Sequence, residues 1–278
     1  MNLLRALALA VAVASPAAAL AADITVGGRV LHIAPPPGFC ALDRSNDVDA
    51  TVFNLTARMQ RGYGELVEFW ADCQSLAGYR AGQTEITPYV LIGAQLGGNG
   101  RVTPVDLPLA DYLAEMRRVA DKQDGGKTLT KGDIGQIVRQ RVDEVRAELG
   151  DAYPVEAGET RLLGTIGQDD SAIYIAVLQR LREGGTERHI GGIISMTELN
   201  GISATVNLYD SHDGSDSFDA MLGRTKAIVA ALVAANPTEG KSRFGVSRLF
   251  DGTLGGAIAG AIVAIALGFF LARLRAKK

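Results

Sequence analysis

Between Asp210 and Asp219 the chain reads Asp-Ser-His-Asp-Gly-Ser-Asp-Ser-Phe-Asp, four carboxylates and one imidazole in ten residues. These are hard donors, and Asp210, His212, Asp213 and Asp216 are the candidate ligands for a cation such as calcium. The spacing departs from the Asp-x-Asp-x-Asp-Gly loop of helix-loop-helix calcium sites. A long amphipathic segment follows directly. Ser215 or Asp216 can therefore cap its first turn, where acids also favour the positive end of the helix dipole. Capping is the expected role, with no resident metal and no cofactor.

Other familiar chemistry fails on spacing. Gly125-Gly126-Lys127-Thr128 resembles the end of a phosphate-binding loop, but Asp121 stands where the first glycine belongs. Gly245-Val246-Ser247 runs on into Arg248-Leu249 and is no nucleophile elbow. Glu65 with Glu68, and Asp169 with Asp170, are acidic pairs along the chain. Adjacency in sequence does not set the through-space separation that paired-carboxylate catalysis needs. The histidines are His32, His189 and His212, the first two inside strand-like runs. No catalytic residue is assigned.

Cys40 and Cys73 are the two cysteines. An even count on an exported chain reads as one disulfide. A redox or metal pair would need a Cys-x-x-Cys or a histidine at ligand spacing, and neither is present.

The two ends carry addresses. Arg5, an apolar stretch from Ala6 to Val13 and the small residues after Pro16 have the form of a signal peptide over residues 1–22. The uncharged run 252–272 is 21 residues long, and as a helix at about 1.5 Å per residue it matches a hydrocarbon core of about 30 Å. Arg273, Arg275, Lys277 and Lys278 follow it as a basic tail, 273–278. The expected layout is a periplasmic domain over 23–237, a linker over 238–251, and one transmembrane helix in a bacterial inner membrane with its tail in the cytoplasm.

Gly252, Gly256, Gly260, Ala264 and Gly268 recur every four residues along that helix. A strip of small side chains permits close helix packing in lipid, where hydrophobic drive is weak. The expected partner is another membrane protein or a second copy.

Residues 23–251 hold all 31 acidic residues and 23 of the 28 basic ones, a net charge of −8. That balance disfavours nucleic acid as a partner.

Periodicity orders the domain. Ile24–Ile33 reads as a first strand ending at Pro35-Pro36-Pro37-Gly38, and Asp47–Arg61 as a helix closed by Gly62. Glu65–Cys73 and Ile86–Ala94 read as strands, with Val67, Phe69 and Ala71 on one face of the former. Leu109–Ala120 and Ile134–Leu149 carry apolar stripes of helical period, joined by an exposed loop from Asp121 to Gly132. Residues 160–209 read as a meander of four antiparallel strands with turns at Gln168–Ser171, Glu183–Thr186 and Asn200-Gly201. Asp216–Ala235 is a closing helix stopped by Asn236-Pro237. The expected class is α+β: an antiparallel or mixed sheet with helices packed on it, plus the C-terminal transmembrane helix.

The first strand running into Pro36-Pro37-Gly38-Phe39, the late meander and the closing helix resemble the Mog1/PsbP/DcrB-like group of α/β sandwich domains. The features cover about half of the exported part. The two middle helices and the anchor depart from a minimal member. The resemblance implies an accessory protein of a membrane or transport complex and not an enzyme. The expected function is therefore a membrane-tethered periplasmic accessory or binding module. The alternatives are an anchored hydrolase with a dispersed site and a self-associating structural envelope protein.

Overall fold

The structure, a computed structural model, describes residues 22–83, 85–105, 107–124, 136, 140, 143–144, 147, 155–183, 186–212 and 218–238. The leader up to residue 21, the apolar stripe of the second middle helix, Asp213, Asp216, and the anchor with its glycine strip lie outside the described residues. Among the described residues no helix is long and apolar enough to cross a membrane.

Ile24–Ile33 is not one strand. It is a hairpin of β1 (Ala22–Val26) and β2 (Arg29–Ile33), turning through Gly27 and Gly28 at φ of +56° and +79°. Two consecutive positive φ values are what a tight two-residue hairpin loop demands, and two glycines supply them without strain. Pro37-Gly38 then turns the chain, with Phe39 N donating to Pro36 O at 3.0 Å, into the short β3 (Phe39–Ala41).

The helix α1 (Asp47–Gln60) matches its expected span, its Asn46 side chain accepting from Val48 N and Asp49 N as a cap. It leads into β4 (Gly64–Asp72). A bulge between Leu66 and Glu68 corrects the expected facing of this strand. The extra residue shifts the alternation, so Leu66 joins Phe69 and Ala71 in one core while Val67 joins Trp70 in the other. An unexpected helix, α2 (Cys73–Arg80), follows at once, capped by the Asp72 side chain accepting from Ser75 N at 2.8 Å. The strand β5 (Tyr89–Gln95) begins three residues later than expected. The helix α3 (Leu109–Asp124) runs on through residues expected to form an exposed loop.

The meander is as expected: β6 (Val155–Gln168), β7 (Ile173–Glu183), β8 (Thr186–Leu199) and β9 (Ile202–Ser211). Asn200 and Gly201 form its last turn at φ of +46° and +81°. The helix α4 (Phe218–Ala235) closes the domain.

Seven strands form one antiparallel sheet in the order β3-β4-β5-β9-β8-β7-β6, with the β1-β2 hairpin as a separate ribbon. Both faces are covered. One packs under α1, α2 and α3 through Phe53, Leu76, Tyr112 and Met116. The other packs under α4 and the hairpin through Leu31, Ile33, Met221 and Val229. Asn236, buried just past α4, joins those two covers. Its amide donates to His32 O at 2.9 Å, and its carbonyl side accepts from His32 N at 2.7 Å.

The free edge β6 carries three register shifts against β7, and the other edge, β3, is three residues long. Bulges and short strands blunt an edge against pairing with other chains.

Candidate functional site

The meander's register places residues far apart in sequence in two rows across the sheet. His212 N donates to His189 O at 2.8 Å, and His189 stands opposite Arg180. Two residues along, Asp210 faces Gly191, Gly191 faces Leu178, and Leu178 faces Arg161. Gly191 is where the start of α4 closes over the sheet. A Cβ there would lie 3.3 Å from Met221 Sδ and 3.4 Å from the Phe218 ring.

Beside that contact is a cavity of about 260 Å³ lined by Glu159, Arg161, Leu178, Arg180, Glu187 and His189. Its walls are a chain of ion pairs. Arg161 holds Glu159 through two nitrogens at 2.8 and 3.1 Å. Arg180 reaches Glu159 at 2.7 Å and Glu187 at 3.6 Å, and His189 Nε2 lies 3.4 Å from Glu187. Hydrogen bonds from the Arg161 and Arg180 side chains hold the Glu159 carboxyl below the usual glutamate range. A hydrolytic acid would need the opposite shift.

No protein-family model and no curated protein matches this chain.

The structure therefore joins His189 and His212, which the sequence left in separate segments. It gives Asp210 other work. Its carboxylate accepts from Arg224 Nη2 at 2.8 Å and from Thr87 Oγ1 at 3.1 Å, tying α4 to the segment before β5. A carboxylate spent on a guanidinium is a poor cation ligand. His212 packs its ring 5.1 Å from that of Phe218. Asp213 and Asp216 lie outside the described residues. Among the described residues, no three His, Cys, Asp or Glu side chains are grouped to hold a metal ion.

Glu159, Arg161, Arg180 and Glu187 were not singled out by sequence. Glu159/Arg161, Arg180/Arg182 and Glu187/His189 are i, i+2 polar pairs at the ends of apolar strands. That spacing was the available signal, because a period of two puts both members on one face.

Within each acidic pair the members differ in exposure. Asp169 accepts from Ser171 N at 2.9 Å and Ala172 N at 3.1 Å, the cap of a tight turn. Glu68 is buried at the β4 bulge, while Glu65 is exposed. Burial pushes the Glu68 carboxyl above its ordinary 4.5, offset in part by the Phe69 N–H and by Arg44. The folded chain thus keeps this proton to a higher pH than the unfolded chain does. Stability contributed here falls as pH rises through the window above 4.5. Glu68→Gln is expected to flatten that fall and to raise stability at neutral pH. Urea midpoints of both proteins at about pH 4 and about pH 7.5 measure it.

Proposed function

We propose that this chain is a membrane-tethered periplasmic accessory or binding module, held in a bacterial inner membrane by residues 252–272. On this reading residues 1–22 are removed on export, and the strip from Gly252 to Gly268 packs the anchor against another membrane protein or a second copy. The observation that supports a binding role over a catalytic one is the groove at His189. It is preformed on rigid strands, and its acid Glu159 is clamped in the ionised state by two arginines. Such a surface offers fixed charges to a partner, and Glu159 in it is a poor proton donor. The disulfide between Cys40 and Cys73 supports an oxidising compartment. The resemblance to Mog1/PsbP/DcrB-like accessory domains points the same way.

The test is cysteine crosslinking in native membranes, with Gly256→Cys and Val263→Cys introduced singly and the native disulfide left intact. The full chain is expected to resist carbonate extraction and to crosslink from position 256 but not from 263. A homodimer mass would identify the second copy as the partner. Release by carbonate, or equal crosslinking from both positions, would refute the tether or the packing face respectively.

A further inference from the structure

Three strands each give the groove at His189 two residues at i and i+2. They are Glu159 and Arg161 of β6, Leu178 and Arg180 of β7, and Glu187 and His189 of β8. That spacing puts both members of a pair on one face of the sheet. On β6 the placement needs a local distortion. The register against β7 shifts between Ala157 and Thr160, and a Cβ on Gly158 would lie 2.8 Å from Arg180 O. The bulge and the missing side chain let β6 close on β7 and aim Glu159 at Arg180. Thr160, between Glu159 and Arg161, is buried on the other face.

Size sets the first limit on an occupant. The cavity of about 260 Å³ is smaller than the roughly 300–1,000 Å³ of pockets that take drug-sized ligands. It suits a molecule the size of an amino acid and not of a nucleotide.

Charge sets the second limit. Two guanidiniums and two carboxylates line the cavity and cancel. A bare anion or a bare cation therefore meets no net field of the opposite sign. The charges are nonetheless used unequally. Glu159 accepts three hydrogen bonds, two from Arg161 and one from Arg180. Glu187 accepts none among the described residues. Its contacts are His189 Nε2 at 3.4 Å and Arg180 Nη1 at 3.6 Å, both longer than the usual span of about 2.7–3.2 Å. Arg180 spends Nη2 on a hydrogen bond, and Arg161 spends Nε and Nη2. One carboxylate and an Nη1 on each guanidinium are left over, in a cavity also lined by the apolar Leu178. The contacts of Glu187 join partly exposed groups. Ion pairs of that kind are weak, so a ligand displaces them at little cost.

We propose that the groove binds a small zwitterion, an amino acid with an aliphatic side chain. Its ammonium pairs with Glu187, its carboxylate with Arg180 and Arg161, and its side chain lies against Leu178. The proposal rests on the reading of this groove as a binding surface and adds the class of ligand.

Leucine, 4-methylpentanoate and isopentylamine are the probes. They share one branched skeleton, and the last two lack the ammonium and the carboxylate respectively. Saturation-transfer NMR on the full chain is expected to show leucine bound in about the millimolar range for so small a ligand. Each analogue should bind at least tenfold more weakly. Glu187→Gln is expected to weaken leucine tenfold or more and to tighten 4-methylpentanoate. Arg180→Gln is expected to weaken leucine and to tighten isopentylamine. Arg161→Gln, with the same expected signs, is the second variant should Arg180→Gln lose the native circular-dichroism spectrum. A general structural defect would weaken all three probes together. Analogues that bind as well as leucine would overturn the zwitterion and leave the groove as a binding surface. Binding of none of the three would overturn the groove as a ligand site altogether. An unchanged preference for leucine in every folded variant would place its site elsewhere and overturn the proposal. Carbonate extraction decides the tether independently of all these outcomes.

Discussion

The Cys40→Ser/Cys73→Ser chain is expected to lose about 4 kcal/mol of unfolding free energy. The bond joins β3 to the first residue of α2 across a sequence separation of 33. The chain-entropy relation for a loop of that size gives this figure, because the crosslink mainly removes freedom from the unfolded chain. Its native partners agree in direction. Cys40 packs against the helix-covered core, and Cys73 N donates to Gly38 O at 2.9 Å, so the bridge closes over an already formed junction. Denaturant titration of the oxidised, reduced and double-serine forms measures the effect. The reduced and double-serine proteins should agree with each other. A loss below about 1 kcal/mol in both would show that the unfolded chain is already restricted in this region.

The second large effect is expected at Asp49. This α1 residue is fully buried, and its carboxylate accepts from Asp43 N at 2.8 Å and from both Nε and Nη2 of Arg80. The contact fastens α1 to α2, with Arg80 partly open to solvent. The hydrogen bond to Asp49 is the main reason the guanidinium's pKa rises further above its ordinary value. Arg80→Met removes the partner and leaves a buried charge, at an expected cost of about 3–5 kcal/mol. Asp49→Asn/Arg80→Met should recover more than half of that, since a neutral amide still accepts from Asp43 N without needing a counter-charge. Thermal and urea unfolding of the single and double variants form the cycle that isolates the pair. Equal instability of Arg80→Met and the double variant would mean that lost packing, not the stranded carboxylate, is responsible.

Both effects rest on contacts between segments that local sequence describes only separately. The same division runs through the whole domain. Elements whose evidence lies within their own residues were legible. The stripe from Met221 to Leu232 has helical period and became α4. Asn200-Gly201 tolerates positive φ and became the last meander turn. Asp47–Gln60 carries its cap in Asn46. Pairing of Cys40 with Cys73 followed from there being two cysteines, and the structure forms that bond.

What went unread is local structure masked by a stronger neighbour. Gly27-Gly28 is a hairpin signal, but the loose alternation on either side favoured one strand. Cys73–Arg80 carries the cap of a helix, Asp72 with Ser75, at the end of a strand-like run. Val67 keeps the alternation of β4 on paper, and only pairing with β5 reveals the extra residue that turns it to the other face.

The candidate sites divide in the same way. His212 and Asp210 stood out because their donors are close in the chain. That His189 lies beside His212, with Arg180 opposite it, became visible only through strand register, which sets positions by pairing and not by sequence distance. Asp210 pairs with Arg224, fourteen residues on in α4. The polar face of β9, formed by Ser203, Thr205 and Asn207 and buried in the fold, is the clearest case. The alternation in β9 determined that one face would be polar. Whether that face meets water or the underside of helices depends on what the rest of the chain lays over it, and only the tertiary structure decided that it is covered.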